Sequence, residues 1–299
     1  MPTLPEHPLV SVCIINYNQG RFFKDCLESF LSQTYKNTEL IIIDDCSTDN
    51  SADIIKLLLA ENNVQAKFII NTENKGICKN INKAIRESRG KYFSVVACDD
   101  YYGKHRFEKL VSAAKNLPDD YKVVFSNCNT VDEVGNLISK DFIGEIRPDL
   151  KKIPDGRIYF ELLQNNFIPA IAMLIKKDVF KKVGLFDESL KLEDYDMWLR
   201  IARKYKFKYA EDNEVYYRQV NNSLIKVLSK SHESLKENFY FFAKHTIQKD
   251  RIIRDLIMDK LKYYFETYKE RTGKNDKRLE FDFSKARFLY KWQGRIFSS

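Results

Sequence analysis

Apolar positions in the first hundred residues follow two alternating rhythms. Short runs rich in β-branched and aromatic residues occupy 9–15, 39–43, 66–70 and 92–97, and runs of that length suit strands covered on both faces. Between them, Phe23, Cys26, Leu27, Phe30 and Leu31, then Ile54, Ile55, Leu58 and Leu59, recur at three- and four-residue spacing. That spacing predicts amphipathic helices, with a third near 77–88. Strand and helix alternate four times with short connections, which predicts a doubly wound parallel α/β sheet.

The apolar runs stop on polar clusters. Asn16-Tyr17-Asn18, Asp44-Asp45 and Asp99-Asp100 each follow a predicted strand, and sheets of this class bind ligands at the carboxyl ends of their strands. Two adjacent carboxylates repel each other unless a cation or a set of donors receives them. A hard divalent ion takes such oxygens, with phosphates filling the positions left over. A lone Asp-Asp pair is more often a solvated turn, but three clusters on one rim form a constellation. No G-x-G-x-x-G or G-x-x-x-x-G-K-[ST] occurs, so a nucleotide here would be held by side chains and a metal.

Further along, the pattern predicts a helix over 105–115, a strand over 121–126, a short helix over 158–164 and a strand over 168–175. Residues 130–156 are charged and dotted with Gly and Pro and read as a mobile loop on the acceptor side. Met197, Trp198, Leu199, Ile201 and Ala202 form the core face of a helix whose first turn holds Glu193 and Asp194. Acids there satisfy the helix dipole; beside a bound ligand, one could take the proton of an attacking hydroxyl. A last strand closing this domain is expected over 214–223. Residues 229–270 read as two helices with stripes at Leu235, Phe239 and Phe242 and at Ile252, Ile253, Leu256, Ile257 and Leu261.

Charge changes the picture of the tail. Residues 225–299 hold eighteen Lys plus Arg against ten Asp plus Glu, so they carry the whole net charge of +8. Past a break at 272–276, Phe281, Phe283, Phe288, Trp292 and Phe297 are interleaved with Lys285, Arg287, Lys291 and Arg295. Such a mixture suits the headgroup region of an anionic membrane, or helices packing on the catalytic domain or on a second subunit of a homodimer. The 299 residues contain no run long enough to cross a bilayer and no signal-like start. The expected place is therefore the cytoplasm, with peripheral attachment to the inner face of the cytoplasmic membrane through residues 229–299. Six cysteines without a C-x-x-C pair and four histidines without ligand spacing argue against a disulfide framework or a zinc site.

Jointly, Val10-Ser11-Val12-Cys13-Ile14-Ile15-Asn16-Tyr17-Asn18, Ile42-Ile43-Asp44-Asp45-Cys46-Ser47-Thr48-Asp49, Asn74-Lys75-Gly76 and Cys98-Asp99-Asp100 resemble the family 2 glycosyltransferases of the GT-A fold. The segments 183–190 and 193–200 are a second match, so the resemblance spans roughly residues 8–225. It implies a GT-A catalytic domain over 1–225 and a basic, aromatic-rich helical extension over 226–299. Ile15, Asn16, Tyr17 and Asp45 would hold the base of a nucleotide sugar, and Asp99 would face its ribose and sugar. Asp100 would ligate Mn²⁺ or Mg²⁺. Lys79 stands where the family usually has an Arg reaching the nucleotide, and it offers a point charge without a fork. The base of an inverting transfer would be Asp194, with Glu193 the alternative. Val220 or Asn221 stands where a His close to the metal often occurs in the family.

The implied activity is inverting, metal-dependent transfer of a hexosyl or N-acetylhexosaminyl group from a nucleoside-diphosphate donor, uridine being the expected base. The acceptor would be a glycan or lipid-linked saccharide, as in bacterial surface polysaccharide assembly. Three other readings remain: a nucleotidyltransferase, a sugar-nucleotide-binding protein without activity, and a nucleic-acid-binding protein using the basic tail. The first lacks its glycine-rich basic loop. The intact acids speak against the second. Against the third, the positive charge avoids the motif-bearing domain, so no nucleic acid is expected as a partner.

Overall fold

The computed structural model describes residues 7–190, 193–220 and 232–297. The chain divides into two compact units, Met1–Val220 and Asn221–Ser299.

In the first unit, β1 (Val10–Asn16), β2 (Thr38–Asp44), β3 (Ala66–Ile70) and β4 (Tyr92–Ala97) alternate with α1 (Phe23–Leu31), α2 (Ser51–Glu61) and α3 (Ile77–Glu87). β1 lies between β2 and β4 and is parallel to both, and β3 runs parallel to β2. Every residue of β1 is buried, which is why its sequence shows a continuous apolar run instead of an alternating one. The register pairs Asn16 with Asp44 and Ile15 with Ala97. All three strands therefore end at one level, and the polar clusters share a rim.

Beyond β4 the sheet departs from the all-parallel expectation. The chain continues through β5 (Tyr101–Tyr102), α4 (Arg106–Ala114), β6 (Tyr121–Phe125), β7 (Asn129–Val131), β8 (Leu137–Ser139), α5 (Phe142–Ile146), α6 (Tyr159–Gln164), β9 (Met173–Lys176), α7 (Phe180–Val183), α8 (Glu193–Ala202), β10 (Lys206–Tyr209) and β11 (Val215–Arg218). The main sheet has the order β10-β6-β9-β4-β1-β2-β3, with β9 antiparallel to both neighbours. The stretch 130–156, read from its composition as a mobile loop, instead contains part of β7 together with β8 and α5. It contributes to a second sheet, β5-β11-β7-β8.

A fully buried ion pair ties α4 to the approach of β11. Arg106 Nη1 donates to Asp212 Oδ2 at 2.5 Å and to Ser126 Oγ at 2.7 Å. Lys109 Nζ reaches Asp212 Oδ1 at 3.4 Å and Glu214 Oε1 at 2.9 Å.

The second unit holds three described helices, α9 (His232–Ala243), α10 (Arg251–Thr272) and α11 (Lys277–Phe297). Asp250 caps α10, its side chain accepting from the Ile253 N–H. Gly273, at φ +62°, ends α10 in the left-handed conformation that glycine adopts without penalty. The rings of Phe242 and Tyr264 stack, as do those of Phe265 and Phe283. The buried Gln293 amide donates to Thr246 O and accepts from the Gln248 N–H. The stripe expected on α10 is buried at Ile257 and Leu261, but Ile252 is exposed. The aromatic segment after the break continues as α11, one long helix. No described helix is long and apolar enough to cross a membrane.

Candidate active site

Asn16, buried at the end of β1, donates through Nδ2 to Asp44 Oδ2 at 2.7 Å and to Ser47 Oγ at 3.0 Å. Its Oδ1 is buried without a hydrogen-bond partner among the described residues, an unused acceptor at the end of β1. Asn18 Oδ1 accepts from the Thr48 N–H at 2.8 Å, and Ser47 Oγ accepts from the Asn18 N–H at 2.9 Å. These bonds cross-link the loops after β1 and β2. Between them Tyr17 stands 47% exposed, a ring face open to stacking.

Asp45 is buried and uses both oxygens. Oδ1 accepts from Asn71 Nδ2 at 2.9 Å and from the Lys75 N–H at 2.8 Å, and Oδ2 from the Gly76 N–H at 2.9 Å. Burial pushes its carboxyl up, but the bonds from Asn80, Lys75, Asn71 and Gly76 outweigh it and hold the group below the usual carboxylate range. Asp45 thus pins the turn that starts α3, where Gly76 has φ +79°. Lys79, in the first turn of α3, is exposed. The lysine that approaches this network is Lys83, whose Nζ lies 3.4 Å from Asn71 Oδ1, a contact no sequence motif marks.

Asp99 and Asp100 follow β4, Asp100 being buried. Burial raises both carboxyls above their ordinary range. Asp100 is pushed further up by Asp99, with the Arg218 N–H and charge pulling the other way. The loop is clamped from β11. The Arg218 N–H donates to Asp100 Oδ1 and Nε to Asp99 O, both at 2.8 Å. Nη1 donates to Glu133 O at 2.7 Å and Nη2 to Asp25 Oδ2 at 2.8 Å. The guanidinium also lies over the rings of Phe22 and Tyr101. Arg218 thus pairs with a domain carboxylate, Asp25.

Asp194 comes to this region through α3. Asn82 Nδ2 donates to Phe186 O and Glu188 Oε1, both at 2.9 Å, and Cys78 Sγ lies 3.1 Å from Leu190 O. The segment leading to α8 is thereby laid along the helix that Asp45 anchors. Asp194 Oδ1 accepts from the Tyr195 N–H at 2.7 Å, and Oδ2 lies 3.4 Å from Asn166 Nδ2. Burial outweighs these donors and pushes its carboxyl up to about 6, suited to a proton acceptor near neutral pH. The Glu193 side chain lies outside the described residues. Asp196 instead accepts from Arg200 Nε at 2.7 Å, and that arginine also donates to Val183 O and Leu185 O.

Tyr217 of β11 links the two acid groups. Its phenol is raised first by burial and then by the charges of Asp100, Asp99 and Asp194. All three carboxylates therefore lie within electrostatic reach of one hydroxyl, although 94 residues separate Asp100 from Asp194. A cavity of about 930 Å³ opens elsewhere, lined by Pro8, Tyr35, Tyr92 and Leu117 at the amino ends of β1 and β4. It holds none of the rim carboxylates.

The matched model is that of the glycosyl transferase family 2, over residues 11–184. This chain belongs to glycosyl transferase family 2. Among its relatives, an uncharacterized glycosyltransferase, MJ1057, from Methanocaldococcus jannaschii is 28% identical over 261 residues, covering 87% of each chain. Two solved structures resemble the fold. TarS from S. aureus, in complex with UDP-GlcNAc, gives a TM-score of 0.61 at 17% identity, covering 93% of this chain and 79% of that one. The mannosyltransferase PcManGT from Pyrobaculum calidifontis, in complex with GDP-Man and Mn²⁺, gives 0.59 at 16% identity, covering 98% and 84%. At these identities the likeness carries the GT-A fold alone.

The donor set of this family 2 enzyme fits a hard divalent cation. Two adjacent carboxyls are held by burial at raised proton affinity, an arrangement that a positive ion relieves. Among the described residues no third His, Cys, Asp or Glu joins them. Val220 is buried and apolar, and Asn221 lies outside the described residues. Such an ion would depend on Asp100, phosphate oxygens and water.

Proposed function

We propose that this family 2 glycosyltransferase performs inverting transfer of a hexosyl or N-acetylhexosaminyl group from a nucleoside-diphosphate sugar. UDP is the expected carrier, and the acceptor is a glycan or lipid-linked saccharide, as in surface polysaccharide assembly. Residues 1–225 form the catalytic domain and 226–299 an extension. One observation carries the reading: Asn16 ends β1, Asp45 follows β2 and Asp99 and Asp100 follow β4 on one rim of the parallel strands, and Asp99, Asp100 and Asp194 all lie within electrostatic reach of Tyr217.

In this reading Tyr17 stacks on the base, the unused Asn16 Oδ1 accepts from it, and Ile15 and the Asp45-anchored turn close that side. Asp99 meets the ribose and the donor sugar, and Lys79 supplies positive charge beside the nucleotide. Asp100 holds Mn²⁺ or Mg²⁺, which when bound offsets charge on the leaving diphosphate. Asp194 accepts the acceptor's hydroxyl proton as that oxygen forms its bond to the anomeric carbon and the bond to the diphosphate breaks; Glu193 is the second candidate for this base. Arg218 and Asn166 act as positioning residues.

Two measurements test it. Because Asp194 must be ionised to accept a proton, kcat/KM should fall as pH drops through about 6. A rate that stays flat down to about pH 5 would exclude Asp194. In thermal unfolding, UDP with Mn²⁺ should raise Tm by roughly 5–10 °C at a hundredfold excess over Kd. Asp100→Asn should lose the Mn²⁺-dependent part of that rise. Without ligand the variant should melt no lower than the parent, because the amide removes repulsion with Asp99 and still accepts from the Arg218 N–H. An Asp100→Asn protein with the full Mn²⁺-dependent shift would move the ion elsewhere.

A further inference from the structure

The outward face of α11 is apolar where a helix in water should be polar. Phe281 is 68% exposed, Phe288 67%, Trp292 48% and Ile296 44%. At about 100° per residue these four and Lys285 fall within an arc of about 80°. The opposite side packs inward through Leu279, Ala286 and Gln293, all buried. Four large exposed apolar side chains in one row exceed the scattered surface hydrophobes of an ordinary domain.

Charge identifies what covers them. The acids of α11 are engaged: Glu280 lies 3.4 Å from Lys269 and Asp282 lies 4.0 Å from Arg278. Lys277, Lys285 and Lys291 form no ion pair among the described residues, and all three are exposed. The row is thus bordered by unneutralised positive charge in a segment that carries the chain's entire excess. A second copy meeting this face in a two-fold arrangement would bring like charges together. An anionic bilayer accepts both features, taking aromatic rings at headgroup depth and drawing the lysines to lipid phosphates.

We propose that α11 is a membrane-docking helix. It lies in the plane of an anionic bilayer with Phe281, Phe288, Trp292 and Ile296 inserted and Lys277, Lys285 and Lys291 against the headgroups. This surface stands apart from the transfer chemistry, so its test needs neither donor nor acceptor, and its failure leaves the catalytic reading untouched.

Cosedimentation of the full chain with phosphatidylglycerol/phosphatidylcholine vesicles, against pure phosphatidylcholine, tests the idea. The parent should partition to the anionic vesicles, whereas Phe288→Ser/Trp292→Ser and Lys285→Glu/Lys291→Glu should each partition at least about tenfold less. Salt at about 0.5 M should weaken parent binding. Trp198 is buried in the core, so a blue shift of tryptophan emission on vesicle addition, absent in Trp292→Phe, would report insertion at Trp292. The proposal falls if the parent stays in the supernatant, if both double variants bind like the parent, or if the aromatic variant dissolves a dimer while vesicle binding is unchanged. Circular dichroism of both variants should match the parent, since every substituted side chain is exposed.

Discussion

Asp194→Asn is expected to lower kcat by about 10²–10⁴-fold, the usual contribution of a positioned general base, while the dissociation constant for UDP changes little. The amide keeps the shape of the carboxylate and can still accept from the Tyr195 N–H; only the long 3.4 Å bond from Asn166 Nδ2 is given up. What it loses is the lone pair that receives the acceptor's proton. Among the described residues the hydrogen bonds of Asp194 go to Asn166 and Tyr195 and not to the rim that runs from Asn16 to Asp45, so donor binding should survive. Steady-state assay with isothermal titration of UDP separates the two effects. If Asp194→Asn turned over at the parental rate, the base would have to be sought at Glu193. If it lost nucleotide affinity as well, Asp194 would belong to the donor site. The expected acid limb near pH 6 and this variant probe one group by independent routes.

The largest effect on stability should come from Asp212→Ala. It strands the guanidinium of Arg106, which is fully buried and keeps Ser126 Oγ as its other hydrogen-bond acceptor among the described residues. Breaking a buried pair by removing one member costs about 3–5 kcal/mol, because the remaining charge cannot recover its hydration. At about 2–4 °C per kcal/mol for a domain of this size, Tm should fall by roughly 6–20 °C. Urea unfolding gives the free energy directly. Arg106→Met/Asp212→Leu should lose less than Asp212→Ala, since an apolar pair of similar volume carries no desolvation debt. A loss under about 1 kcal/mol in the single variant would mean that water or Glu214 replaces the missing carboxylate. The consequence reaches the site, because the segment Asp212 anchors leads into β11, which carries Tyr217 and Arg218.

Legibility followed the length of each element. β1, β2 and β4 are six or seven residues long and buried, and runs of that length declare themselves by composition. β5 has two residues and β7 three, too few to establish a period of two, and neither was anticipated. Residues 130–156 looked like a loop because Gly and Pro mark turns. What orders them is local and not periodic: Asp141 Oδ1 caps α5 and also accepts from Asn127 Nδ2. The direction of β9 is set by its neighbours β4 and β6, and nothing in Met173–Lys176 encodes it.

By itself the sequence determined the alternation of elements, the three polar clusters at strand ends and the concentration of positive charge in the tail, because each is written in residues adjacent along the chain. The tertiary structure alone decided the rest. It put Asp194, Asp99 and Asp100 within electrostatic reach of one tyrosine, gave Arg218 to Asp25 and two backbone carbonyls, and turned one face of α11 outward. These depend on contacts between residues tens to nearly two hundred positions apart. Such contacts form only when the packed core fixes which surfaces meet, and no local pattern records that outcome.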